Sequence, residues 1–277
     1  MAITAADVKA LRDKTGAGMM ECKKALTEAN GDAAEAEKIL KEKGLAAVAK
    51  RAERATSEGR IFIRQTGDKI VVAEVTCETD FVAKNTDFVA LGEKILDVAI
   101  AKGYTKIEKE LEDLVLELAT KIRENMSIRK LEVVDVPAGS AAATYVHSDF
   151  KTGAVVVVEG SDAEAVKVFA KDCCLHLAAF TPAYTTKDEV PQSYIDEQKE
   201  IFQAQMAQDE KMASKPENVK AGILQGKISK HLAEICFVDQ AFVKDDKVTV
   251  AKKLEQVSKE AGAKLSFKKV ALFVLGK

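Results

Sequence analysis

The chain has 277 residues, enough for about two domains, and 47% of them are hydrophobic, which is sufficient for buried cores. Its 42 basic and 44 acidic side chains leave a net charge of only −2. This near balance argues against a dedicated nucleic-acid binder, because such proteins usually carry a strong basic excess.

The start of the chain and its apolar runs give no sign of export or membrane insertion. The first residues lack a basic segment followed by a long apolar one, so we expect no signal peptide. The longest apolar run, residues 154–158, is far too short to span a bilayer. The five cysteines are odd in number and lack a C-x-x-C pair, so neither disulfides nor a zinc site are expected. We therefore expect a cytoplasmic protein without membrane contact.

We find no sequence motif for covalent chemistry. Residues 222–229 resemble a phosphate-binding loop, but the spacer between the glycines is one residue short and no Ser or Thr follows Lys227. The histidines, His147, His176 and His231, are scattered and have no neighbouring Cys or Asp cluster. We therefore predict no catalytic residue, no cofactor and no metal site, and an enzyme is the least favoured class.

Residues 1–54 are predicted to form a three-helix domain of UBA-like size. Thr4 begins a capping box, and the first helix stops before Gly16, a residue suited to a helix C-cap. The second helix is expected to end at Gly31 and the third at Gly44. A bundle this small is marginal alone and suits recognition better than catalysis.

Residues 55–140 are predicted to form the first part of an α/β core. Two β-rich runs around a Thr-Gly-Asp turn indicate a hairpin at 60–75. A helix with Phe88 on its apolar stripe follows, then a charged helix near 106–124 and a strand at 128–136.

Residues 141–277 are predicted to form the second part of the core and to repeat this pattern. A hairpin is expected at 143–160, with Thr152-Gly153 in its turn, and a helix at 161–180 with Ser161 starting a capping box. The two hairpin-and-helix segments align as related β-β-α units, an internal pseudo-repeat of modest identity.

An antiparallel helical hairpin is predicted at about 187–228, inserted into this second part. It shows two apolar stripes, and Ser214, with a proline two residues later, is expected to start its second helix. We expect this hairpin to project from the core as a coiled coil; an ordinary packed helix pair is the alternative. The final strand, 265–276, is expected to return to the second unit's sheet. The predicted fold is therefore α+β: a three-helix bundle, then two pseudo-repeated β-β-α units forming an α/β core with an inserted helical hairpin.

The tetrapeptide Thr-Asp-Phe-Val occurs twice, at 79–82 and 86–89. Alignment of the two β-β-α units leaves residues 76–85 of the first unit without a counterpart. This alignment places Thr86 at a helix N-cap and Phe88 in the core. It also places Phe81 on an inserted loop, facing solvent or a partner.

Four segments carry a resemblance to a known family. ALRDKTGAGMMECKKAL (10–26), VTCETDFVAKN (75–85), KIRENMSIRK (121–130) and TYVHSD (144–149) together resemble bacterial translation elongation factor Ts. The match covers essentially the whole chain in the same order, and the combination of the first two segments is specific.

The resemblance implies a guanine-nucleotide exchange factor for elongation factor Tu without substrate chemistry of its own. It implies that Phe81 is a wedge that enters the partner's GTPase domain near its Mg²⁺ and phosphate site and displaces GDP. A further part of the partner would meet His147, and a homodimer or a heterotetramer with the partner is left open. The residues implied to bind the partner are Arg12, Met19, Met20, Thr79, Asp80, Phe81, Val82, Ile122 and His147. The chain departs from the family at Arg123, where glycine is usual, which puts a backbone contact there in doubt.

Other interpretations remain open from the residues alone. The basic stretch 38–54 suits a nucleic-acid or ribosome-associated adaptor, although its interleaved glutamates and lack of aromatics favour a solvated helix face. The three-helix domain also has the size of a ubiquitin-binding module. Met19 could belong to a bundle core, and His147, at a strand end, could be structural or solvent-facing.

Overall fold

The computed structural model describes residues 3–209, 212 and 215–277, and its helices and small sheets confirm the predicted α+β class. Contacts divide the chain into two compact units. Unit 1 comprises the chain up to Asp135 together with Val146–Gly153 and Phe273–Lys277; unit 2 comprises Val136–Tyr145 and Ala154–Leu272. The finer division at residues 54 and 140 stays a prediction.

Three helices form the start of unit 1, as predicted. They are α1 (Ala5–Thr15), α2 (Met19–Glu28) and α3 (Ala33–Ala49). Thr4 begins α1 with the predicted capping box, and Gly16 ends it in a left-handed conformation. Leu11, Cys22 and Leu26 are buried in a small apolar core between the helices.

The ends predicted for the second and third helices are wrong. α2 stops at Glu28, before Gly31, and α3 continues through Gly44 to Ala49. A Cβ at position 44 would lie only 2.3 Å from Cγ2 of Thr120. Gly44 therefore allows close helix packing and does not end the helix.

The core of unit 1 is an antiparallel sheet covered by helices. Its strands, in the spatial order β1-β2-β3, are β1 (Glu58–Thr66), β2 (Lys69–Cys77) and β3 (Met126–Asp135). Its helices are α4 (Asp80–Ala83), α5 (Thr86–Lys102) and α6 (Lys109–Ile122). The predicted first hairpin, charged helix and third strand are confirmed. Phe62, Phe88 and Leu111 lie in the buried cluster between the sheet and the helices.

The final strand of the chain joins a second sheet beside the second hairpin, so its predicted return is confirmed. The strands of this sheet are β4 (Ala141–Val146), β5 (Thr152–Glu159) and β8 (Ser266–Val274). The helices α7 (Glu164–Phe180) and α10 (Val250–Ala261) bury apolar side chains in the same core cluster as β5.

Two local predictions in this part of the chain are wrong. Thr152 and Gly153 lie in β5, and the turn is made by residues 147–151, where the Asp149 carboxylate accepts a hydrogen bond from the Lys151 amide. The helix begins at Glu164, and no capping box forms at Ser161, whose hydroxyl accepts a hydrogen bond from the Ala163 amide.

The helical hairpin of unit 2 comprises α8 (Gln192–Ala207) and α9 (Glu217–Ile235). The Tyr194 hydroxyl lies 2.9 Å from Nε2 of His231 and links the two helices. Ser214 lies outside the described residues. The second helix ends at Ile235, and a short hairpin that was not expected from the sequence follows, β6 (Ala241–Phe242) and β7 (Asp245–Thr249).

Candidate partner-binding site

The first Thr-Asp-Phe-Val copy forms a single helical turn within the expected inserted loop. Thr79 caps α4, and its hydroxyl accepts a hydrogen bond from the Val82 amide at 3.3 Å. Val82 and Ala83 are buried, whereas the Phe81 side chain is 82% exposed. We call Thr79 and α4 the TDFV turn. It anchors itself with its last two residues and projects an aromatic ring into solvent.

The second copy also starts a helix but buries its ring. The N-cap of α5 is Asn85, not Thr86, and its side chain accepts a hydrogen bond from the Asp87 amide at 2.8 Å. Asn is among the residues preferred at this position because its side-chain oxygen reaches the second amide of the helix. Phe88 is fully buried against Phe62, with ring centroids 6.4 Å apart. The same four residues thus give one exposed and one buried phenylalanine.

A carboxylate two residues after α6 holds the TDFV turn in place. The Glu124 side chain accepts hydrogen bonds from the Glu78 amide at 3.2 Å, the Thr79 amide at 3.1 Å and the Thr79 hydroxyl at 2.7 Å. In return, the Glu78 carboxylate accepts a bond from the Asn125 amide at 2.6 Å. Hydrogen bonds to an ionised acceptor are stronger than neutral ones, so the base of the turn is firmly fixed. Glu78 and Glu124 are not among the residues predicted to bind the partner, although both lie within the motif segments 75–85 and 121–130.

Arg123 lies at a backbone position that suits glycine, the residue that the resemblance implies there. It ends α6 with φ 68° and ψ 26°, a left-handed conformation that favours glycine. Its side chain forms an ion pair with Glu21, with Nη2 2.5 Å from Oε2. Glu21 also accepts a hydrogen bond from the Gly18 amide at 3.2 Å, at the start of α2. The Arg123 backbone therefore has a conformation that favours glycine, and its side chain links the end of α6 to α2.

The implied contact residues outside the TDFV turn differ in exposure. Met19 is 43% exposed and Met20 66% exposed on the first turn of α2, so a core role for Met19 is not supported. Arg12 is exposed in the last turn of α1. Ile122 is half-buried against the unit 1 core, and lies two residues before Glu124. The structure thus brings the end of α6 beside the TDFV turn.

His147 lies in an exposed turn that also belongs to unit 1. We call residues 147–151 the His147 turn. Its Phe150 carbonyl accepts a hydrogen bond from the Ile61 amide at 2.8 Å, and Lys151 forms an ion pair with Glu58 at 2.6 Å. Both partners are in β1, so the turn is attached to the outer strand of the first sheet.

The electrostatics of the TDFV turn suit a contact surface better than a reaction centre. Asp80 pairs with Lys84 at 2.6 Å, and the hydrogen bond from Lys84 lowers the pKa of the Asp80 carboxyl. Burial raises the pKa of the Cys77 thiol to about 12, so this group is protonated at neutral pH and donates to the Thr79 carbonyl.

Within the described residues there is no cluster of three side chains that could hold a metal, and no helix that is both long and apolar enough to cross a membrane.

Comparison with known proteins identifies the family of this chain. A family model described as "Elongation factor TS" matches residues 78–277. The chain is 56% identical over 281 residues to elongation factor Ts of Treponema denticola, with 100% of this chain and 99% of the relative covered. It is 48% identical to elongation factor Ts of Treponema pallidum, with the same coverage, and 41% identical to that of Borrelia recurrentis, with 94% of each chain covered. The chain therefore belongs to the elongation factor Ts family.

Proposed function

We propose that this protein is a guanine-nucleotide exchange factor for elongation factor Tu, acting in translation elongation in the cytoplasm. The observation that carries the proposal is the exposed Phe81 ring on a firmly fixed turn, in a chain of the elongation factor Ts family. An apolar ring that is 82% exposed and rigidly mounted is suited to insertion into a partner.

Phe81 acts in this proposal as a wedge near the nucleotide's phosphates. Phosphates are held by loop amides, helix N-termini and Mg²⁺, so a small displacement of these elements weakens nucleotide binding strongly. Burial of a phenylalanine ring stabilises a complex by about 1.5–3 kcal/mol, and each 1.4 kcal/mol is about tenfold in affinity. Because the turn is already ordered, little of this free energy is lost in fixing it on binding.

The remaining implied residues would add further contacts with the partner. Arg12, Met19 and Met20 would contact the GTPase domain, and polarisable methionine side chains adapt well to an apolar partner surface. His147 would contact a further domain. Thr79 and Val82 would hold the turn from within, since Val82 is buried. Linkage is reciprocal, so a factor that weakens GDP binding to elongation factor Tu is itself bound more weakly when GDP is present. It therefore binds the nucleotide-free partner tightly and the GDP-bound partner loosely.

The test is release of a fluorescent GDP analogue from elongation factor Tu with this protein at catalytic amounts. We expect strong acceleration by the wild type and a loss of roughly 10- to 150-fold for Phe81→Ala, from the burial free energy above. Val168→Ala, at a 51% exposed position on α7, is the matched control and should act like the wild type. No acceleration by folded wild-type protein would overturn the function; equal rates for Phe81→Ala and wild type would overturn the wedge alone.

The hypothesis of a nucleic-acid or ribosome-associated adaptor has less support than that of an exchange factor. Basic residues of the stretch 38–54 lie beside acidic ones: Lys43 pairs with Glu28 at 2.6 Å and Arg54 with Glu78 at 3.4 Å. Such pairs reduce the positive potential offered to phosphates. A steep loss of nucleic-acid binding with salt would favour the adaptor.

A further inference from the structure

One side chain, Arg60, contacts both the TDFV turn and the His147 turn. It lies in β1, and its Nε donates a hydrogen bond to the Ala83 carbonyl at 2.6 Å. Its guanidinium carbon lies 3.9 Å from the centroid of the Phe150 ring. Ala83 ends the helix that carries Phe81, and Phe150 lies in the same turn as His147.

Arg60 contacts the TDFV turn at the C-terminal end of α4, where helix carbonyls lack partners within the helix. The last carbonyls of a helix have no partner within the helix, and a cation at this end is favourable. At the end of α4, the Asp80 carbonyl accepts a hydrogen bond from the Lys84 amide and the Val82 carbonyl accepts one from the Asn85 amide. The Ala83 carbonyl accepts its hydrogen bond from Arg60. Loss of this bond would release the C-terminal end of a helix only one turn long.

The contact with the His147 turn is held by backbone geometry. Phe150 has φ 59°, a left-handed conformation uncommon for an aromatic residue. Its carbonyl accepts the Ile61 amide, which fixes the residue beside β1 and its ring over Arg60. A planar guanidinium can stack on the Phe150 ring while its Nε donates a hydrogen bond to the Ala83 carbonyl. A lysine ammonium is not planar and cannot make both contacts in this way.

We propose that Arg60 is a positioning residue that couples the two turns, so that a partner bound at Phe81 strengthens its own contact at His147. This inference rests on the proposed function. Arg60 does not carry the exposed ring or the imidazole, but its two contacts join the elements that do. Movement of either turn therefore changes the surroundings of the other through one shared side chain.

A double-mutant cycle tests the coupling. The probe is the affinity for nucleotide-free elongation factor Tu of Phe81→Ala, His147→Ala and the double variant, each in the wild-type and Arg60→Met backgrounds. In the wild-type background, we expect the fold-loss of affinity in the double variant to be smaller, by at least about threefold, than the product of the two single fold-losses. In the Arg60→Met background, we expect the losses simply to multiply.

A second pair of variants approaches from the other contact. Phe150→Leu, which removes the aromatic face, should abolish the coupling as Arg60→Met does, and Phe150→Tyr, which keeps it, should preserve the coupling. Urea unfolding of each variant identifies any that lose the fold. A purely structural role for Arg60 would lower affinity uniformly and leave the coupling factor unchanged.

The outcomes separate the two proposals. An unchanged coupling factor in Arg60→Met and Phe150→Leu, or no coupling in the wild-type background, would overturn the role of Arg60 while leaving the exchange function intact. Failure of both Phe81→Ala and His147→Ala to weaken binding would overturn the proposed contacts, and the coupling with them.

Discussion

The two Thr-Asp-Phe-Val copies provide a matched pair of truncations in the same local sequence. Phe88 is fully buried and packs against Phe62, so Phe88→Ala removes a core ring and leaves a cavity. Such changes destabilise by about 3–5 kcal/mol. Phe81 is 82% exposed, so Phe81→Ala removes little packing and should change stability by at most about 0.5 kcal/mol.

The measurement is urea unfolding followed by circular dichroism, with both variants and the wild type in one buffer. Phe88→Leu is the control for volume, because a substitution that keeps most of the apolar bulk should cost less than about 1.5 kcal/mol. Destabilisation of more than about 2 kcal/mol by Phe81→Ala, or of less than about 1 kcal/mol by Phe88→Ala, would refute the reasoning from exposure to energy.

Three further predictions concern helix packing, a strained backbone and a buried histidine. Gly44→Ala should destabilise by about 1–3 kcal/mol because its Cβ would meet Thr120 at 2.3 Å, whereas Gly222→Ala, with open space around it, should stabilise by up to about 1 kcal/mol; similar thermal shifts for both would contradict this. Arg123→Gly should be more stable to urea than Arg123→Ala by about 1 kcal/mol, because both lose the ion pair and only glycine relieves the positive φ; equal midpoints would exclude strain there. Burial lowers the pKa of His176 below its ordinary value of 6.5, so near that pH the folded state binds fewer protons than the unfolded state. The free energy of unfolding should therefore fall as pH drops below about 6.5. His176→Gln should remove this part of the pH dependence; a pH dependence unchanged by the substitution would assign it to another group.

Much of the fold follows from signals that are local in the sequence. The first hairpin was predicted because alternating β-rich runs flank a glycine turn, and α1 because Thr4 and Gly16 mark its ends. The β6–β7 hairpin was missed because β7 is mostly polar and shows no alternation. The sequence alone predicts a helix end at Gly44, because the residue that requires a small neighbour there, Thr120, is distant in sequence.

The candidate site was only partly predictable for the same reason. The exposure of Phe81 could be anticipated because the comparison of the two β-β-α units marked its segment as extra. The residues that hold the turn could not, since Glu124 bonds an amide 45 residues away and Arg60 a carbonyl 23 residues away. Periodicity and capping patterns report on neighbours within a few residues, and such long-range hydrogen bonds leave no trace in them.

The attachment of the His147 turn has a consequence for how the protein behaves in concentrated solution. β1 is an edge strand, and edge strands with free backbone groups recruit strands from other molecules. The bond from the Ile61 amide to Phe150 and the ion pair between Glu58 and Lys151 cover part of that edge. Substitutions that loosen this turn therefore carry a second effect, aggregation through β1, which grows with protein concentration and is invisible in a dilute activity assay.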